Sequence, residues 1–111
     1  MTFDEYQKQS LKTIVQNRHD DLIGKTILAL GIAGEAGEVA DKWKKILAYQ
    51  NGEVSEADRA ELAKEMGDVL WYLAVFAEEL GLKLDDIAKG NLTKLASRQA
   101  RDVIKGRGDN R

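Results

Sequence analysis

From about Asp20 or Asp21 to Ala48, and again from Ser55 to Leu80, apolar residues return every three or four positions, and no proline interrupts them. Two helices of that length leave a chain of 111 residues little room for anything else, and the absence of proline together with few β-branched runs extends the expectation to the rest. Thr2 and Glu5 form a capping-box pattern opening a first helix that carries Phe3, Tyr6, Leu11, Ile14 and Val15 to about Asn17. The loop YQNGEVSEAD separates the two long helices, and Ser55 or Asp58 starts the second of them. Gly81 is placed to end it. Asp85 or Asp86 opens a last helix, DDIAKGNLTKLASRQARDVI. The expected fold is all-α, an antiparallel four-helix arrangement in one domain over residues 1–104, with residues 105–111 (KGRGDNR) as a flexible tail.

Composition narrows the function. Without cysteine there is no disulfide, thiolate metal site or cysteine nucleophile. No signal segment opens the chain and no apolar run approaches the roughly 20 residues of a membrane span, so a cytoplasmic protein without a membrane partner is expected. Lysine and arginine number 17 against 19 aspartates and glutamates, a net charge of −2 that argues against a nucleic-acid polymer as partner but leaves single nucleotides open. The tripeptide Arg107-Gly108-Asp109 matches an extracellular adhesion signal, yet nothing else suggests secretion, and it reads as ordinary tail.

On a helical wheel at about 100° per residue, Gly31, Glu35, Glu38 and Lys42 share one narrow arc of the second helix, beside an apolar arc of Ile32, Ala36, Val39, Trp43, Ile46 and Leu47. The third helix repeats the pattern, with Glu61, Glu65, Asp68 and Tyr72 beside Leu62, Met66, Val69, Leu73, Phe76 and Ala77. Any one of these glutamates alone reads as a solvated flank charge, and Glu38 with Lys42 as an ordinary i, i+4 pair. Two i, i+3 carboxylate pairs in the same phase, each at the edge of the inward face, are a different matter. An antiparallel pairing of the helices brings the four together, where they repel by about 4 kcal/mol per pair at roughly 4 Å and an effective dielectric near 20. Protonation or a cation relieves that. Oxygen-only ligands suit Mg²⁺ or Mn²⁺ better than zinc or copper. A di-iron bundle wants a histidine in each of two Glu-x-x-His motifs, whereas His19, the sole histidine, lies in an interhelical turn away from the carboxylates. An EF-hand would need its ligands in one contiguous loop. Mg²⁺ held in this way is usually completed by substrate phosphates.

Glu35-x-x-Glu38 and, after the 26 intervening residues 39–64, Glu65-x-x-Asp68 resemble the ExxE…ExxD signature of the MazG-like all-α nucleoside triphosphate pyrophosphohydrolases. The segments GEAGEVAD, KEMGDVLWYLAVFAEELGL and KGNLTKLASR are similar to that superfamily's helices, over about residues 22 to 100. The last departs from the family's Arg-Tyr-Pro ending, because Gln99 and Ala100 follow Arg98. The resemblance implies hydrolysis of a nucleoside triphosphate between the α and β phosphates. In that scheme Glu35, Glu38, Glu65 and Asp68 hold Mg²⁺ (or Mn²⁺), and one glutamate, Glu38 ahead of Glu35, accepts the proton of the attacking water. Lys42, Lys94 and Arg98 neutralise the outer phosphates, Asn91 orients one, and Tyr72 touches the sugar or a phosphate. It also implies a homodimer or dimer of dimers whose sites draw on a neighbouring subunit. The alternative is a non-catalytic helical module that binds metal, nucleotide or another protein.

Two tryptophans and three glycines complete the expectations. Trp43 reads as core, and Trp71, off the inward arc, as part of a subunit interface. Gly31 on the carboxylate arc leaves room for substrate or close backbone approach, while Gly34 and Gly37 on another side admit a neighbouring helix.

Overall fold

The computed structural model describes residues 1–14 and 21–111, and its elements are four α-helices, α1 (Phe3–Leu11), α2 (Leu22–Gln50), α3 (Glu56–Glu79) and α4 (Leu84–Ala100). Local chemistry sets most of their ends. The capping box of Thr2 and Glu5 opens α1, Asp21 caps α2 by accepting from the Gly24 N–H, and Ser55 with Asp58 forms a second capping box at α3. At the far end of α2 the chain turns through two left-handed residues, Asn51 at φ 54° and Gly52 at φ 79°. Gly81, at φ 69°, does the same after α3. The first helix stops at Leu11, capped by Lys12, short of the expected Asn17; Val15, Asn17, His19 and Asp20 lie outside the described residues. Among the described residues no helix is long and apolar enough to cross a membrane.

The start of α4 differs from expectation for a reason far away in sequence. Its N-cap is Lys83, which provides no side-chain bond, and the helix begins at Leu84 instead of at Asp85 or Asp86. The missing cap comes from α1. The Gln7 carbonyl oxygen accepts the Leu84 N–H at 3.0 Å, while its amide nitrogen donates to the carbonyls of Leu82 at 3.0 Å and Ala74 at 3.2 Å. One buried glutamine thereby fastens α1 to α3 and to the first turn of α4. Gln7→Ala removes the side-chain partner of three backbone groups, two of those bonds buried, and is expected to destabilise the fold by about 2–3 kcal/mol, or roughly 10–20 °C in Tm for a domain of this size. A thermal melt followed by circular dichroism measures it, and an unchanged midpoint would show that water replaces the amide without loss.

α3 is the hub, packing against each of the other helices, whereas α2 packs on α3 alone among the described residues. The buried apolar set is correspondingly thin: Leu28, Ile46, Ala74, Val75, Ala77 and Leu84. The radius of gyration is 16.9 Å, against about 13 Å expected for a compact domain of this length. Much of the apolar surface of α2 therefore faces outward, including Ile23, Ile27 and Leu30. Trp43, read from sequence as core, is 49% exposed, and Leu47 beside it is exposed as well, because among the described residues only α3 packs on α2.

Candidate metal and phosphate site

The turn between α2 and α3 determines which residues meet along them. Gln50, the last residue of α2, donates to the Glu53 carbonyl and to Asp58 Oδ2, the same carboxylate that closes the α3 capping box. With that end pinned, Lys42 lies 3.7 Å from Glu61 and 3.5 Å from Glu65, and further along, Gly31 lies under the ring of Tyr72.

Between those two levels, one oxygen each from Glu35, Glu65 and Asp68 lies within 4.8 Å of the others. Glu35 and Glu65 are half-buried and Asp68 is exposed. Partial loss of solvent raises the Glu35 carboxyl above its ordinary value, and the negative charges of Asp68, Glu65 and Glu38 push it further in the same direction. Lys42 offsets part of the charge from the Glu65 side. Three convergent carboxylates, all oxygen, one of them held partly against ionisation, fit a hard divalent cation better than a softer metal.

The structure brings together three of the four carboxylates singled out by sequence. Glu38 is exposed and stands outside the three-residue set, although close enough to add its repulsion to Glu35. Glu61 pairs with Lys42 and Lys64 and sits at the far side of Lys42 from the set.

Tyr72 lies at this level but is packed, not free: a Cβ built on Gly31 would overlap its ring, lying 2.6 Å from Cζ. The space left by Gly31 is thus filled by Tyr72 of the same chain, in place of the substrate or backbone expected there. Gly34 and Gly37 have nothing within 4 Å. Trp71, expected at a subunit interface, is half-buried against the end of α1, where its indole N–H donates to Thr13 Oγ1 at 2.7 Å and its ring meets Tyr72 edge-on at 5.0 Å.

Asn91, Lys94 and Arg98 all sit on α4, which touches α1 and α3 but not α2. Among the described residues no ion pair joins them to the carboxylates. Asn91 is exposed. Lys94 Nζ lies 3.2 Å from Asp109 Oδ1, and Arg98 Nη2 donates to the Asp109 carbonyl at 2.7 Å and to Oδ1 at 3.2 Å. Of the expected cations, Lys42 thus meets the acidic set at Glu65, whereas Lys94 and Arg98 meet Asp109. Asp109 is the partner that sequence inspection missed, since the Arg-Gly-Asp stretch carries no local signal of what it binds.

Residues 24–102 match the sequence profile of the MazG nucleotide pyrophosphohydrolase domain, a span running from the first turn of α2 past the end of α4. The chain belongs to the MazG family. That span holds Glu35, Glu38, Glu65, Asp68, Asn91, Lys94 and Arg98, whereas α1 and residues 103–111 lie outside it. The gene 37 protein of Mycobacterium phage L5 is 45% identical over 92 residues, 83% of this chain and 81% of its own length. The uncharacterized protein YvdC of Bacillus subtilis (strain 168) is 38% identical over 72 residues, 58% of this chain and 65% of its own. No solved structure matches the chain. MazG membership agrees with the acidic set on α2 and α3, since the family is typically metal-dependent.

Proposed function

We propose that this MazG domain is a Mg²⁺-dependent nucleoside triphosphate pyrophosphohydrolase that cleaves between the α and β phosphates and serves to clear nucleotides from the pool. The observation that carries the proposal is the convergence of Glu35, Glu65 and Asp68 inside the matched span. Glu35, Glu65 and Asp68 would hold the cation, with Glu38 beside them. When bound, the cation supplies neutralising charge for phosphate oxygens and acidifies a bound water.

The chain's own groups account for the rest. Glu38, exposed next to the set, takes the proton of the water that attacks the α phosphorus as the bond to the bridging oxygen breaks and pyrophosphate departs. Lys42, within 3.5 Å of Glu65 Oε1, exchanges that carboxylate for an outgoing phosphate oxygen. Asn91, Lys94 and Arg98 bind the outer phosphates, and Tyr72 borders the sugar. Because α4 does not pack on α2 and no ion pair joins these residues to the carboxylates among the described residues, a second copy supplies them, in a homodimer or dimer of dimers built of antiparallel helices. The outward apolar residues Ile23, Ile27, Leu30 and Trp43 and the expanded radius of gyration support that assembly. The protein works in the cytoplasm on free nucleotides.

The test is hydrolysis of a panel of canonical and modified nucleoside triphosphates with and without Mg²⁺, separating pyrophosphate from orthophosphate, beside Glu38→Gln. Monophosphate and pyrophosphate, formed only with the cation and lost in Glu38→Gln, are expected. Orthophosphate with a diphosphate would overturn the choice of bond. No turnover by folded, cation-loaded protein would favour a binding module.

A further inference from the structure

Residues 103–111 do not trail away from α4. Asp102, at φ 57°, turns the chain, and the Val103 N–H returns to the Arg98 carbonyl at 2.8 Å. The segment then closes on Arg111, whose guanidinium donates to the carbonyls of Val103 at 3.1 Å, Ile104 at 2.9 Å and Gly108. Arg101 donates to the Arg111 carbonyl at 2.9 Å, tying the strap to the last turn of the helix. Gly108, at φ 77°, lets the chain pass back so that Asp109 faces α4.

Asp109, its side chain 80% exposed, meets two cations there, Lys94 and Arg98. Its carboxyl is drawn below the ordinary value by hydrogen bonds from Arg98 first and Lys94 second, so it is ionised at neutral pH. Arg98 is 4% exposed, and its Nε is buried without a partner. A guanidinium presents a planar fork suited to two oxygens of a phosphate. Asp109 engages the fork through Nη2 and leaves Nε unused. The contact is an imperfect match for a group that recognises a larger anion.

We infer that the 103–111 strap is an autoinhibitory latch, in which Asp109 occupies the cations Lys94 and Arg98 until the phosphates of a substrate displace it. The inference rests on the reading of Lys94 and Arg98 as phosphate-binding residues. A single carboxylate on a short strap competes weakly with the two outer phosphates of a triphosphate, so the latch yields to the substrate. If the strap is docked about nine-tenths of the time, apparent affinity for the anion is reduced about tenfold.

The experiment is calorimetric titration of the full chain with inorganic pyrophosphate at fixed Mg²⁺ and ionic strength, for the wild type, Asp109→Ala, Asp109→Asn and Lys94→Ala, together with KM and kcat for a nucleoside triphosphate. Asp109→Ala and Asp109→Asn are expected to tighten pyrophosphate about three- to tenfold and to lower KM by the same factor at unchanged kcat. Lys94→Ala is expected to weaken pyrophosphate, and Asp109→Ala added to Lys94→Ala to give a smaller gain than it does alone. Unchanged or weaker binding in both Asp109 variants, with Lys94→Ala still weakened, would overturn the latch and leave the phosphate site standing. No effect in any variant would remove the phosphate reading and the latch with it.

Discussion

Glu35→Gln is expected to reduce nucleoside triphosphate hydrolysis by at least about a hundredfold while making the cation-free fold more stable at neutral pH. The first effect follows from the position of Glu35 in the set with Glu65 and Asp68: stabilisation by a bound cation is worth several kcal/mol, and each 1.36 kcal/mol is about tenfold in rate. The second follows from the charge balance. Glu35 is the carboxyl raised by lost solvation and by Asp68, Glu65 and Glu38. A carboxyl raised in the folded state binds more protons folded than unfolded through the window between its two values, so stability is greatest below that window and falls as pH rises through it. Above that window the wild type carries the penalty without a cation, and the glutamine variant does not.

Melting temperatures of wild type and Glu35→Gln across pH 4 to 8, with and without Mg²⁺, separate the two effects. The wild type should lose stability as pH rises out of the acidic range when chelator is present and regain it with Mg²⁺, whereas Glu35→Gln should show a flatter profile and little response to the cation. A variant that kept both turnover and cation response would mean that the cation is not held at Glu35.

Gly31→Leu should be the most disruptive change on α2, lowering stability by about 1–3 kcal/mol as overpacking does. Sequence reasoning places Gly31 on the carboxylate arc and so expects leucine there to damage activity far more than folding. The ring of Tyr72 alters that expectation, because it already fills the space and a Cβ there cannot coexist with it. Leucine must displace the ring or push α2 off α3, and that pairing is what positions Glu35 against Glu65 and Asp68. Folding and activity should therefore fall together. Adding Tyr72→Ala to Gly31→Leu should restore a large part of the stability, which a double-mutant cycle in urea would show. Gly34→Ala is the contrast. With nothing within 4 Å, it should gain about 0.5–1 kcal/mol from helix propensity alone. A loss at Gly34 would instead reveal a helix of a second copy seated against it.

Much of the candidate site was legible because helix phase is local. The repeat of about 100° per residue places Glu35, Glu65 and Asp68 on facing arcs, and the structure joins those three. It could not show that Glu38 would stand aside, since that depends on how far α2 is rotated relative to α3, which the Gln50 to Asp58 bond and the Gly31 to Tyr72 contact decide. Nor could it show that the α4 cations would be met by Asp109.

What the amino-acid sequence determined by itself is what bonds over three or four residues can determine: the helical class, the caps at Thr2, Asp21 and Ser55, and the left-handed exit at Gly81. What only the tertiary structure decided are contacts between residues far apart along the chain. Gln7 caps α4 from 77 positions away, Trp71 finds Thr13 across 58, and Tyr72 rests on Gly31. The physical reason is that a cap or a helical phase is selected by the backbone next to it, whereas the partner of a buried amide or an aromatic ring is selected by which surfaces the finished packing brings within about 3 to 4 Å.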